Sequence, residues 1–136
     1  MKLNSHLTFS GQCEIAFKFY EECLGGEIEA MIPHEGTPIA KDVPESWRKK
    51  ILHASLVVDD QRLMGCDAPP DHYQKPQGIS VTINIKRPAD AERIFHALAE
   101  EGTVQMAIQP TFWAERFGML VDRFGIPWMI NCEKAA

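Results

Sequence analysis

Hydrophobic positions along the chain recur at two periods, and the switches between them divide the sequence into elements. Leu3, Leu7 and Phe9 fall on odd positions, the alternation of a strand with one apolar face, and His6 and Thr8 fall on its other face. Ser10-Gly11-Gln12 breaks that run. From Gln12 to Leu24, Ile15, Ala16, Phe19, Tyr20 and Cys23 recur at spacings of three and four, which predicts an amphipathic helix, and Gly25-Gly26 stands where such a helix ends. Glu27 to His34 predicts a second strand. The loop after it is a candidate lid, with a short helical turn at Pro44-Glu-Ser-Trp-Arg-Lys. Lys50 to Asp59 and Arg62 to Cys66 predict a hairpin across Asp59-Asp60-Gln61, and Ala68 to Gly78 is a polar, proline-rich connector.

The pattern then starts over. Ile79 to Ile85 alternates as a strand, and Pro88 to Glu101 predicts a helix with proline in its first turn and Gly102 after its end. Three short strands follow, and the last two, Phe117 to Val121 and Trp128 to Cys132, flank an Asp122-Arg-Phe-Gly125 segment with hairpin turn chemistry. Strand, helix and three strands thus occur twice in the same order, and repetition of this kind constrains a fold more than any single motif. The expectation is an α+β domain over residues 1–136. Module one covers about 1–68, a connector 69–78, and module two about 79–136.

Composition adds exclusions. A chain of 136 residues buries roughly two thirds of its unfolded surface without staples. With a formal net charge of −5 and no basic cluster larger than Arg48-Lys49-Lys50, it lacks the basic face that nucleic-acid binding needs. The first twenty residues hold no signal-peptide core and no run of about 18 apolar residues follows, so the expectation is a cytoplasmic protein without a membrane partner. Cys13, Cys23, Cys66 and Cys132 lie far apart without a CxxC pair, which predicts reduced thiols. No GxSxG, HExxH, P-loop or GxGxxG motif occurs in its required context.

Several side chains are candidates for chemistry. His6 points away from its strand's apolar face and is a candidate base, ligand or hydrogen-bond donor, or else a structural histidine. His53 shares the parity of Ser55 on the third strand and so a polar-facing side. Asp67 ends the fourth strand, as a turn cap or as a base. Trp113, Phe117 and Trp128 are candidates for an aromatic wall against a planar or apolar substrate, with core packing as the competing role. Arg116 is placed either to orient an anionic group or to pair with Glu115 or a neighbouring acid. Cys66, beside Asp67, is a candidate nucleophile only in an electropositive setting. His34, His72 and His96 are expected in solvent, with no role.

The segments His6-Leu-Thr-Phe, Ala16-Phe-Lys-Phe-Tyr20, Leu24-Gly-Gly26, Ile51-Leu-His-Ala54, Leu63-Met-Gly-Cys-Asp67 and Trp113 through Asn131 together resemble the PhnB-like branch of the glyoxalase/bleomycin-resistance/extradiol-dioxygenase superfamily, also called vicinal oxygen chelate proteins. The resemblance covers nearly the whole chain. It implies two βαβββ modules forming curved mixed sheets around a cleft, a small-molecule ligand and commonly a homodimer. It also implies the one cofactor to consider, a divalent metal held by His and Glu. This chain departs from that ligand set. Counted from Phe19-Tyr20, the first-strand ligand falls near Asn4 or Ser5, with His6 one residue off. Counted from Asp122 and Gly125, the last-strand Glu falls at Met129, and Ile79-Ser-Val-Thr-Ile supplies no His. Two function classes fit: a binding or sequestering protein that uses an aromatic-lined cavity, and a metal-dependent lyase, isomerase or dioxygenase. Relatives also carry a methyltransferase label, but no glycine-rich nucleotide-binding turn follows the first strand to hold S-adenosylmethionine.

Overall fold

The computed structural model describes residues 1–135, which divide into two compact units, Met1–Gln74 and the residues from Lys75 onward. The first unit contains β1 (Ser5–Phe9), α1 (Cys13–Leu24), β2 (Glu27–Pro33), β3 (Ile51–Val58) and β4 (Gln61–Asp67). The second contains β5 (Val81–Asn84), α2 (Pro88–Ala99), β6 (Thr103–Gln109), β7 (Ala114–Val121) and β8 (Pro127–Glu133). Each is a βαβββ module of the α+β class. The sheets have strand orders β1-β4-β3-β2 and β5-β8-β7-β6. In both, the helix carries the chain to the far edge and two hairpins bring it back, so the first and last strands lie side by side and parallel.

Each helix covers one face of its own sheet. In the first unit Cys13, Ala16, Phe17, Tyr20 and Cys23 of α1 are buried against Phe9, Ala54 and Leu56. Phe9 and Phe17 meet edge to face at 6.2 Å, and Phe17 and Tyr20 at 5.9 Å. The buried stripe is rotated from the one the spacing suggests: Ile15 is 65% exposed and Phe17 is fully buried. Positions 13, 16, 17, 20 and 23 form an equally regular stripe, and only the sheet decides which is covered. In the second unit Ala91, Ile94, Phe95 and Leu98 of α2 pack in a core with Leu120, Ile126, Trp128 and Ile130.

Helix ends and turns show how local chemistry sets the boundaries. Gly25 takes a left-handed conformation with φ 74°, and its N–H donates to the Glu21 carbonyl at 3.0 Å. The N-terminus of α1 has no cap from its own segment. Asp67 of β4 fills that role, its Oδ1 accepting from Gly11 N at 2.9 Å and Cys13 N at 3.0 Å while Oδ2 accepts from Ile51 N at 2.9 Å. The loop between β2 and β3 holds two single turns of 3-10 helix, Ala40–Asp42 and Glu45–Trp47. Strand edges shift inward from the sequence pattern, because Leu3 and Ile79 are 98% and 76% exposed and lie outside β1 and β5.

Candidate functional site

In each unit the face of the sheet away from the helix carries the side chains with chemistry. On the first sheet the register aligns His6 with Met64 and Met64 with Ser55, while Thr8 aligns with Cys66. By alternation, His53 follows Ser55 on this same face. His6, His53 and Cys66 are therefore brought to one surface. Partial burial of the His6 ring and, second, the neighbouring His53 lower the His6 pKa, against an opposing hydrogen bond of its own backbone. Both effects favour a neutral imidazole, able to donate from one nitrogen and accept at the other. Glu29, at a bulge in β2, holds Arg62 in a fork with contacts of 2.7, 2.9 and 3.0 Å, and Ser55 Oγ reaches the same carboxylate at 3.4 Å.

Asp67 lies on the helix side, 5% exposed, with both carboxylate oxygens taken by the three backbone amides described above. The structure does not bring it to the imidazole face. Burial is the largest influence on the Cys66 pKa and raises it; a hydrogen bond with the Thr8 side chain comes second and lowers it in part, and the Asp67 charge adds a smaller rise, so its thiol is protonated at neutral pH. All four cysteines are free thiols. Among the described residues no group of three or more His, Cys, Asp and Glu side chains is arranged to hold a metal ion. His6 and His53 supply two nitrogen donors, and the carboxylates of their unit described here, Glu29 and Asp67, are already engaged. This donor set does not fit a divalent ion's requirement.

On the second sheet the register builds two rows across all four strands. Asn84, Asn131, Phe117 and Gln109 form one, and Thr82, Met129, Met119 and Met106 the other. Asn131 Nδ2 donates to Asn84 Oδ1 at 3.0 Å. Beside the first row stands an aromatic group: Trp113 meets Phe117 at 5.4 Å and Phe112 at 4.9 Å, both edge to face. Phe112 is 87% and Trp113 48% exposed. Trp128 is not in this group. It is buried on the helix side of the sheet, with its Nε1 donating to Asp122 Oδ2 at 2.9 Å. Arg116 also turns to the helix side, where its Nε donates to Glu92 of α2 at 3.0 Å and its Nη1 to the Glu115 carbonyl at 2.7 Å.

Phe112 and the Asn84–Asn131 pair escaped the sequence reading. The adjacency of Phe112 to Trp113 was the available signal for the first, and only the β5–β8 register reveals the second. His34 also departs from expectation. It is 5% exposed, with its Nδ1 2.8 Å from the Lys50 carbonyl, because the chain beyond β2 continues to pair with the approach to β3.

Comparison with known proteins places this geometry in a lineage. The family model described as 3-demethylubiquinone-9 3-methyltransferase matches residues 1–131. Protein YjdN of Escherichia coli K12 is 32% identical over 142 residues, covering 98% of this chain and 97% of that protein. The crystal structure of PA1353 from Pseudomonas aeruginosa is 46% identical, covers 99% of both chains and has a TM-score of 0.90. A Bacillus cereus structure described as a putative 3-demethylubiquinone-9 3-methyltransferase, PhnB protein, shares the fold with a TM-score of 0.80 at 22% identity, covering 97% of this chain and 99% of its own. The same fold extends to a glyoxylase/bleomycin resistance protein/dioxygenase domain from Frankia, with a TM-score of 0.69 at 10% identity over 98% of both chains. The chain belongs to this PhnB-like family, within the glyoxalase/bleomycin-resistance fold.

Proposed function

We propose that this member of the PhnB-like family binds a small, planar and largely apolar molecule, and that it does so as a homodimer in the cytoplasm. The observation that carries the reading is the group Phe112, Trp113 and Phe117, two of whose rings are open to solvent although their area would ordinarily be buried. Aromatic faces held edge to face and left exposed are suited to stacking a ligand. The Asn84–Asn131 pair beside Phe117 offers amide donors and acceptors to fix its orientation. In the first unit His6, whose lowered pKa favours the neutral ring, and His53 are assigned a polar-contact role rather than that of an ion's ligands. Asp67, Arg116 and Trp128 spend their polar atoms on the fold and are left out of the binding role.

Methyl transfer is not carried over from the family description. Here β1 runs into α1 through Ser10-Gly11-Gln12, without the glycine-rich turn that cradles a nucleotide.

A thermal-shift screen of planar aromatic compounds, followed by titration calorimetry, tests the reading. Trp113→Ala is expected to weaken the best ligand about tenfold while leaving the melting temperature nearly unchanged. Equal affinity in the wild type and in Trp113→Ala and Phe112→Ala variants would overturn it. Stoichiometric metal uptake with turnover of a dicarbonyl or catechol would replace it by the metal-dependent alternative.

A further inference from the structure

The largest basic run of the chain, Arg48-Lys49-Lys50, lies in the strap between β2 and β3. Its backbone is pinned, with Glu35 N donating to the Arg48 carbonyl at 2.7 Å and His34 N to the Lys50 carbonyl at 3.0 Å. Among the described residues two buried side-chain polar atoms have no hydrogen-bond partner, and they sit on consecutive residues, Trp47 Nε1 and Arg48 Nε. An indole N–H and a guanidinium N–H are donors only, so neither can be satisfied by turning about. Native structures leave few such groups without a purpose.

Charge points the same way. The protein carries a formal net charge of −5, yet the lysine and arginine ion pairs of the described residues use Lys18, Arg62, Arg87, Arg93, Arg116 and Arg123, not the strap's cations. Lys50 Nζ donates to the Gly11 carbonyl at 3.1 Å. The Lys50 ammonium and the Trp47 ring edge lie 3.5 Å and 3.6 Å from where a Cβ on Gly11 would stand, so both gather at the turn between β1 and α1. The acid at that turn, Asp67, accepts from three backbone amides and from none of these groups.

We propose that Trp47, Arg48 and Lys50 form a site for an oxyanion, the carboxylate or phosphate-type group of a small molecule. Neighbouring strap residues that offer two unmet donors and positive charge are complementary to a group that is all acceptor and negative. The site stands in the first unit alone and is independent of the aromatic group, so either proposal can fail without the other.

The test is an NMR titration of the intact protein with sodium phosphate and, separately, sodium acetate, each against chloride at matched ionic strength. It follows the indole N–H signals of the chain's three tryptophans, with Trp47 assigned through Trp47→Phe. The expected result is a saturable shift of the Trp47 signal alone with at least one of the anions, weakened about tenfold by Arg48→Met and unaffected by Arg87→Met. Lys50→Met gives a second variant should Arg48→Met fold poorly. No saturable shift with either anion, or the same shift in both strap variants, would overturn the proposal. Which of the two anions saturates decides between a phosphate and a carboxylate ligand.

Discussion

The Trp128 indole donates to the Asp122 carboxylate at 2.9 Å across the turn that joins β7 to β8. Asp122 Oδ1 accepts from Phe124 N at 2.8 Å and Ile126 N at 3.0 Å, and the residue is 3% exposed. One carboxylate therefore closes the turn and fixes the largest buried side chain of the second unit. Asp122→Asn turns one acceptor oxygen into a donor and leaves donor facing donor. We expect a loss of about 1–3 kcal/mol, read from the denaturant midpoint at unchanged slope. Trp128→Phe in that background is expected to cost less than it does alone, because the indole N–H is already orphaned. Strict additivity in the cycle would show that the two groups do not depend on each other.

Phe17 lies where a side chain at Gly65 would stand. A Cβ there would come within 2.6 and 2.8 Å of the Phe17 ring and 2.9 Å of the Leu7 carbonyl. Gly118 holds the matching relation to Phe95 in the second unit, at 2.6 Å. Both rings are buried and cannot swing aside. Gly65→Ala is thus expected to destabilise the protein by about 1–3 kcal/mol, and Phe17→Leu should recover part of that loss. A neutral Gly65→Ala in chemical denaturation would mean that helix and sheet separate more readily than the packing implies.

The repeated βαβββ order was legible because each unit restates period-two and period-four patterning in the same sequence, with Gly25 and Pro88 marking a helix end and a helix start. The face of α1 was not, since residues 15, 16, 19, 20 and 23 and residues 13, 16, 17, 20 and 23 are both regular stripes and only the sheet chooses between them. Parity along single strands set His6 and His53 each on the polar side of its own strand, and only the register across β1, β4 and β3 brings the two sides to one face. Parity failed to separate Trp128 from Trp113, because the two lie on different segments and the indole's partner, Asp122, is defined by a turn. From sequence Asp67 read first as a turn cap and only second as a base. The three amides that settle its surroundings come from Gly11, Cys13 and Ile51, up to 56 residues away.

Thiol reactivity should follow burial and not sequence order. Burial, and then the charges of Asp67, Cys66 and Glu14, push the Cys13 thiol far above its ordinary value, while Cys66 is raised less. Because the thiolate is the nucleophile, alkylation of the folded protein at pH 8 is expected to mark Cys66 first, more slowly than an exposed thiol, and to accelerate as pH rises past 9. Cys13 should label only on unfolding. Mass spectrometry of iodoacetamide adducts over time checks the order, and fast labelling of Cys66 at pH 7 would restore it as a candidate nucleophile.

His6 and His53 are coupled through space on the first sheet, and the coupling has a sign. The folded-state pKa of His6 lies below the ordinary 6.5, by burial first and by His53 second. The unfolded chain therefore binds this proton more readily than the folded one. The contribution to stability is fully present above the unfolded value and is lost as pH falls from there through the folded pKa. Because the ring is part-exposed, solvent screening keeps the effect on stability small, and the titration itself is the better observable. We expect the His6 ring signals in an NMR pH series to titrate below 6.5, and His53→Asn to move that midpoint upward only part of the way, since burial remains. An unchanged midpoint in His53→Asn would show that the two rings do not share a field. A midpoint at or above the ordinary value would mean that the imidazole face is open to water, and His6 would then be charged at the mildly acid pH where the proposed site needs it neutral.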